Sequence, residues 1–180
     1  MKLTRRLILL FLIAAAGLWL WAVVVPGPEK AIRQHLSKTA RAASFNANEG
    51  SLERLSNIGA FANCFSPDAQ VTLESPGGGS QSFTGRDDLM RAAGVARTMA
   101  TALRVDFLDA SLVVAPDGEN ATVDLTVRAT VPSDRDVFVQ EMKLYLKKFG
   151  RAWLIIRAET VKTLARAGRS LRPAETSGSP

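Results

Sequence analysis

Few side chains in this chain of 180 residues could do chemistry, and most of them stand alone. His35 is the only histidine, which excludes a His-rich metal site and any mechanism that passes a proton between two imidazoles. A lone histidine on a helix more often satisfies a local hydrogen bond than acts as a base. Cys64 is the only cysteine, so neither an intramolecular disulfide nor a CxxC metal or redox motif can form. Its thiol could be a nucleophile, but within an apolar helical stripe it reads as a small buried hydrophobe. Glu141 and Tyr145 share one strand face and could line a site; Lys143 and Lys147 share it too, which marks the face as exposed. Pro76-Gly77-Gly78-Gly79 lacks the Lys-Ser/Thr that completes a phosphate loop and reads as a hairpin tip. No cofactor and no metal are implied.

The elements that must position these groups follow from period. Val123, Leu125, Val127, Ala129 and Val131 alternate with Thr122, Asp124, Thr126, Arg128 and Thr130, which predicts a strand with one dry and one wet face. Val105 to Val114 precedes it across the turn Pro116-Asp117-Gly118. Val137 to Lys148 follows, with Phe138, Gln140, Met142, Leu144 and Leu146 on its inward face. After Phe149-Gly150, Ala152 to Val161 is apolar on both faces, which predicts a strand covered on both sides. Short turns between successive strands predict an antiparallel meander. Ahead of it the sequence predicts helices over Glu29 to Ala43, from Ser51 onward and over Gly85 to Ala100, with short strands Val71 to Glu74 and Gln81 to Thr84. In the second helix Leu52, Leu55, Ile58, Ala62 and Phe65 recur at helical spacing and are expected to face the core, with Ser66-Pro67-Asp68 as its stop.

Charge and hydropathy divide the chain. Residues 1–25 hold three basic residues and no acid, residues 26–163 hold 17 basic against 16 acidic, and residues 164–180 hold three against one. The net charge of +6 is therefore concentrated in the ends, and the nearly neutral body gives no signal for nucleic acid. Leu7 to Val25 carries no charge, and as a helix it would span roughly 28 Å, close to the hydrocarbon thickness of a bilayer. Lys2, Arg5 and Arg6 before it predict a cytoplasmic N-terminus over residues 1–6 and an extracytoplasmic, periplasmic location for the domain. Ala14-Ala15-Ala16 would satisfy a signal-peptide cleavage site, but would leave Gly17-Leu18-Trp19-Leu20-Trp21 as a mature end in water. Residues 7–25 are thus read as an uncleaved transmembrane anchor, and residues 164–180 as a disordered basic tail. Lys30, Arg33, Lys38 and Arg41 make the first helix after the anchor basic, either as a solvated face or as a contact for anionic headgroups.

The order helix, helix, short hairpin, helix, long meander resembles the nuclear transport factor 2-like superfamily, in particular its SnoaL-like and ketosteroid-isomerase-like members. The residues that carry the resemblance are Phe65-Ser66-Pro67-Asp68-Ala69-Gln70-Val71, Pro76, Gly85 and Phe149-Gly150-Arg151-Ala152-Trp153-Leu154-Ile155. It covers Glu29 to Thr163. It implies a conical α+β (cystatin-like) fold in which helices and a curved antiparallel sheet enclose a pocket. In the isomerases it resembles, an aspartate after the first hairpin strand is the base; here the neighbourhood reads Leu73-Glu74-Ser75-Pro76, and Glu74 is only adjacent. The family's first-helix tyrosine is missing, and the strand face that carries its acid is apolar here. Related cyclases use histidine and aspartate, which makes His35 a second candidate. Glu74, His35 and Tyr145 are therefore weak catalytic candidates, with Glu74 equally readable as a solvated strand-end carboxylate.

The expected molecule is an α+β domain over residues 29–163 on a transmembrane helix. Its expected role is non-catalytic binding of a small apolar ligand or a protein partner, with at most a weak homodimer. The alternatives are a SnoaL-like isomerase, cyclase or hydratase, and a bitopic assembly subunit of a membrane complex.

Overall fold

The computed structural model describes residues 27–74, 79–132 and 136–161. The expected anchor at 7–25, loop residues 75–78 and the basic tail at 164–180 lie outside them. No helix among the described residues is long and apolar enough to cross a membrane. Helices α1 (Pro28–Ala43) and α2 (Ser51–Ala62) come first, followed by strands β1 (Phe65–Glu74) and β2 (Ser80–Thr84) and helix α3 (Gly85–Met99). Strands β3 (Arg104–Val114), β4 (Asn120–Val131), β5 (Asp136–Phe149) and β6 (Ala152–Thr160) complete the chain. The six strands form one sheet in the order β2-β1-β6-β5-β4-β3.

The meander forms where alternation predicts it. Gly118 and Gly150 take the left-handed conformation at its two described turns, with φ of +66° and +62°. At the first, the Asp117 carboxylate accepts from the backbone N–H of Glu119 and of Asn120, at 2.8 and 3.1 Å. These bonds hold its pKa below the usual value. Ile32 and Leu36 of α1, Leu89 of α3 and inward residues of β1, β4, β5 and β6 share one buried core, against which Phe83 of β2 and Phe107, Leu112 and Val114 of β3 pack partly buried.

Four expectations are corrected. The sheet is mixed, because β1 pairs with β6 in parallel. α3 carries the chain from the β2 edge to the β3 edge, and three reversals then bring β6 back in the direction of β1. Second, α2 ends at Ala62, and Phe65 opens β1 opposite Ile155. Ser66-Pro67-Asp68 therefore lies inside a strand. The β1–β6 register slips between Phe65 and Gln70, so the missing N–H of Pro67 breaks no ladder bond there. Gly85, at φ +78°, lets the backbone pass so close that a Cβ would stand 3.0 Å from the Pro67 carbonyl oxygen.

Third, Leu52 and Leu55 are 84% and 67% exposed, while Ile58 and Ala62 are buried. Only the second half of α2 packs down. Fourth, β6 buries Trp153, Ile155 and Ala158 on one side, but Leu154 and Ile156 on the other are half-buried and Arg157 is exposed. A bulge opposite Tyr145 and Leu146 separates Ile155 from Arg157 in the register. A second bulge, at Leu108–Ser111 with Asp109 at φ +52°, lies in β3. Bulges bend strands and raise local twist, which curves the sheet over the helices.

Candidate functional site

The inner face of the sheet changes character along its length. At the end near the Gly118 and Gly150 turns, Val123, Leu146 and Ile155 are fully buried. Toward the opposite end the same face loses its cover: Val127, Ala129, Val131 and Met142 are half-buried, and Phe138 is 43% exposed. Register makes this one surface, because Ala129 stands opposite Phe138 and Leu125 opposite Met142. The far end of β4 and β5 thus presents an apolar, partly uncovered stretch of the inner face, the mouth of the sheet.

Among the described side chains, two polar ones, Gln140 and Thr160, lie on that face, and both are engaged by β1. The Gln140 Nε2 amide donates to the Glu74 carbonyl oxygen at 2.8 Å. The Thr160 hydroxyl accepts from the Glu74 N–H at 3.1 Å. They hold the end of β1 onto the sheet where the β1–β6 register ends, at Thr72 and Glu159.

The three catalytic candidates are not brought together. Glu74 shares the face of Gln70 and Thr72, opposite to Val71 and Leu73, which join the core. Tyr145 lies on the outer face, where its hydroxyl donates to Glu159 Oε1 at 3.0 Å. Arg157 stacks over its ring at 5.7 Å and pairs with Glu159 at 2.6 Å. The bond to Glu159, then burial and the Glu159 charge, raise the tyrosine pKa. Glu141 is exposed on the same strand face. His35 sits on α1 with Nε2 3.0 Å from the Cys64 carbonyl oxygen, which also accepts from the Ile155 N–H at 3.0 Å. Burial lowers the His35 pKa, opposed by the Cys64 bond and assisted by Lys38. A neutral imidazole that donates from Nε2 fits this setting. Cys64 is buried at the α2–β1 junction, with Sγ 3.3 Å from the Ala60 carbonyl oxygen.

The sequence reading missed a buried ion pair. Arg97 of α3 donates from Nε to Glu49 Oε2 at 3.2 Å, and the two side chains are 2% and 3% exposed. Its other nitrogens donate to the carbonyl oxygens of Ala93 and Ala42 at 3.2 and 3.1 Å. The Phe45 ring lies 4.8 Å from Cζ, and Asn57 donates to the other Glu49 oxygen at 2.6 Å. Every guanidinium nitrogen and both carboxylate oxygens are bonded, so this is a structural knot rather than a reactive centre. Its partners are 48 residues apart, and no local spacing signals it.

Among the described residues, three helices and a curved six-stranded mixed sheet define the architecture, and solved structures share that fold. The fold is nuclear transport factor 2-like. A nuclear transport factor 2-like protein with a cystatin-like fold from Novosphingobium aromaticivorans superposes with a TM-score of 0.58 at 14% identity, covering 86% of this chain and 90% of its own. A variant of Rv3472, a protein of unknown function from Mycobacterium tuberculosis, gives 0.56 at 17% identity, covering 73% of each chain. A candidate scytalone dehydratase, also from Novosphingobium aromaticivorans, gives 0.56 at 15% identity over 73% of this chain and 81% of that one. No protein-family model and no curated protein matches the chain. The nuclear transport factor 2-like likeness is one of fold.

Proposed function

We propose that this nuclear transport factor 2-like domain is a non-catalytic binding module, tethered to a membrane by residues 7–25 and holding a small apolar ligand at its open mouth. One observation carries the reading. Among the described side chains, the mouth face is lined by Val127, Ala129, Val131, Phe138 and Met142, the polar Gln140 and Thr160 hydrogen-bond the β1 backbone, and none of His35, Glu74 and Tyr145 lies on it. Acid–base chemistry needs a group within hydrogen-bond reach of the substrate, and donors aimed where charge develops. An apolar surface with neither can still bind by burial.

The test offers a photoreactive alkyl diazirine to the full chain in nanodiscs and maps the crosslinked residues by mass spectrometry. Crosslinks are expected at 127–131 and 138–142, and Phe138→Glu is expected to reduce them roughly tenfold, which corresponds to about 1.4 kcal/mol of binding. Absence of crosslinks there would sink the reading. Turnover of a small enolisable ketone that disappears in Glu74→Gln would replace it with the isomerase, cyclase or hydratase alternative. A second reading, a protein partner or membrane-complex subunit, is favoured by exposed Leu52 and Leu55 on α2. Crosslinks concentrated on α2 would move the conclusion there.

A further inference from the structure

Helix α1 handles its charges differently from the sheet. Lys30, Arg33, Lys38 and Arg41 are all exposed. At 3.6 residues per turn they fall on one stripe with Gln34 and Ser37, opposite the buried Ile32 and Thr39. None of the four has an acidic partner among the described residues; Arg41 only donates to the Ser37 carbonyl oxygen at 3.3 Å. On the outer face of the sheet, by contrast, cations stand beside acids. Arg104 and Arg128 share Asp106, Lys143 meets Asp124, and Arg157 meets Glu159. Glu29 lies in the first turn of α1, and across the groove between α1 and β3 stands Asp106, already shared by two arginines. That groove, about 380 Å³, is edged by Arg33, Arg41 and Arg128.

We infer that the cationic face of α1 docks on an anionic bilayer surface, so that the domain lies along the membrane with α1 against the headgroups. The inference rests on the tether proposed for residues 7–25. The uncharged stretch ends two residues before α1, so Lys30 follows Val25 by at most roughly 18 Å of extended chain. Lys30 and Arg41 are roughly 16 Å apart along the helix axis. An upright α1 would carry Lys38 and Arg41 beyond the ~8 Å over which charge acts at physiological salt; a recumbent one keeps all four within it. Phosphate-bearing headgroups are the occupant that complements unpaired cations in a row at this position.

The experiment places an environment-sensitive fluorophore on Ser37→Cys, in the middle of the stripe, with Cys64 left in place because it is buried. A second label, on Ser82→Cys of the opposite edge strand, is the control. The full chain is reconstituted in nanodiscs of phosphatidylcholine alone, or with about a quarter phosphatidylglycerol, each containing a nitroxide-headgroup lipid as quencher. Quenching at position 37 is expected to be at least about twofold greater in the anionic discs and to fall toward the neutral value near 0.5 M salt, with little change at position 82. Replacing Lys30, Arg33, Lys38 and Arg41 together by Gln is expected to abolish the difference.

Equal quenching in both disc types, with the chain retained on them, would overturn the inference and leave the tether intact. Protection of position 37 by soluble polyglutamate in neutral discs would overturn it in favour of an acidic protein. A chain that leaves the discs on gel filtration would remove the tether and the docking together.

Discussion

At the scale of single residues, His35 shows how burial turns a group that could do chemistry into a structural one. Its ring packs beneath the sheet and meets the Cys64 carbonyl oxygen, at a junction where the Ile155 N–H meets the same oxygen. Desolvation is the main cause of its lowered pKa, and Lys38 adds to it against the Cys64 bond. The folded value thus lies below the ordinary 6.5, and the unfolded chain holds the proton more tightly. The stabilisation is complete above the unfolded value and is lost as pH falls through the folded one. Carboxylates ordinarily titrate lower, and Asp106, held by Arg128 and Arg104, lower still. As the only histidine, His35 is the side chain whose ordinary pKa opens this window. Thermal midpoints measured between about pH 7.5 and pH 5.5 are expected to fall in the wild type and to fall less in His35→Gln, which can still donate to Cys64. Parallel slopes for the two proteins would assign the pH dependence elsewhere.

Among the elements, the helical layer depends on one pair. Arg97 reaches from α3 to the last turn of α1 through Ala42, to the connection between α1 and α2 through Glu49 and Phe45, and by way of Glu49 to Asn57 of α2. Removing one charge leaves the other buried without its counter-ion, which typically costs about 3–5 kcal/mol, whereas replacing both by apolar residues is often nearly neutral. Arg97→Met is therefore expected to lower the unfolding free energy measured in urea by that amount, and Glu49→Leu with Arg97→Met to recover most of it. A double variant as unstable as the single one would show that the backbone bonds to Ala42 and Ala93, not the ion pair, carry the layer. Elements of this kind limit what sequence can reveal. β4 and β5 are readable because one face is wet and the other dry, and the same period identifies Phe138, Gln140 and Met142 as the inward set. The start of α2 misleads because Leu52 and Leu55 have helical spacing without a partner to bury them. The beginning of β1 is hidden by Pro67, tolerated only because the register slips there. The openness of the mouth depends on how far the helices cover the sheet, and period carries no information on that.

For the whole molecule, the question is whether the sheet's outer face can join two copies. The nuclear transport factor 2-like fold presents that face as a broad surface, and here it is crossed by charge. Asp106 lies between Arg104 and Arg128, Lys143 pairs with Asp124, and Arg157, Glu159 and Tyr145 form a cluster on neighbouring strands. Exposed Val113, Val137 and Val139, with half-buried Leu154 and Ile156 of β6, are apolar additions. Val113 lies on the edge strand β3, while Val137 and Val139 sit at the start of β5. A stable interface buries about 800 Å² per partner around an apolar centre from which charged residues are depleted. Here the centre would have to desolvate ion pairs that already satisfy one another, and their mutual attraction would offset that cost only with new partners of good geometry. The docking of α1 on a membrane would not relieve this, because α1 packs on the inner side of the sheet with its buried residues in the core. The full chain in mild detergent is accordingly expected to sediment as a monomer at low concentration and to dimerise only weakly, with a Kd above about 1 µM. A dimer that persists at nanomolar concentration would overturn this. Loss of that dimer in Val139→Lys, with no change in Leu55→Lys, would place the interface on the outer face despite its charge.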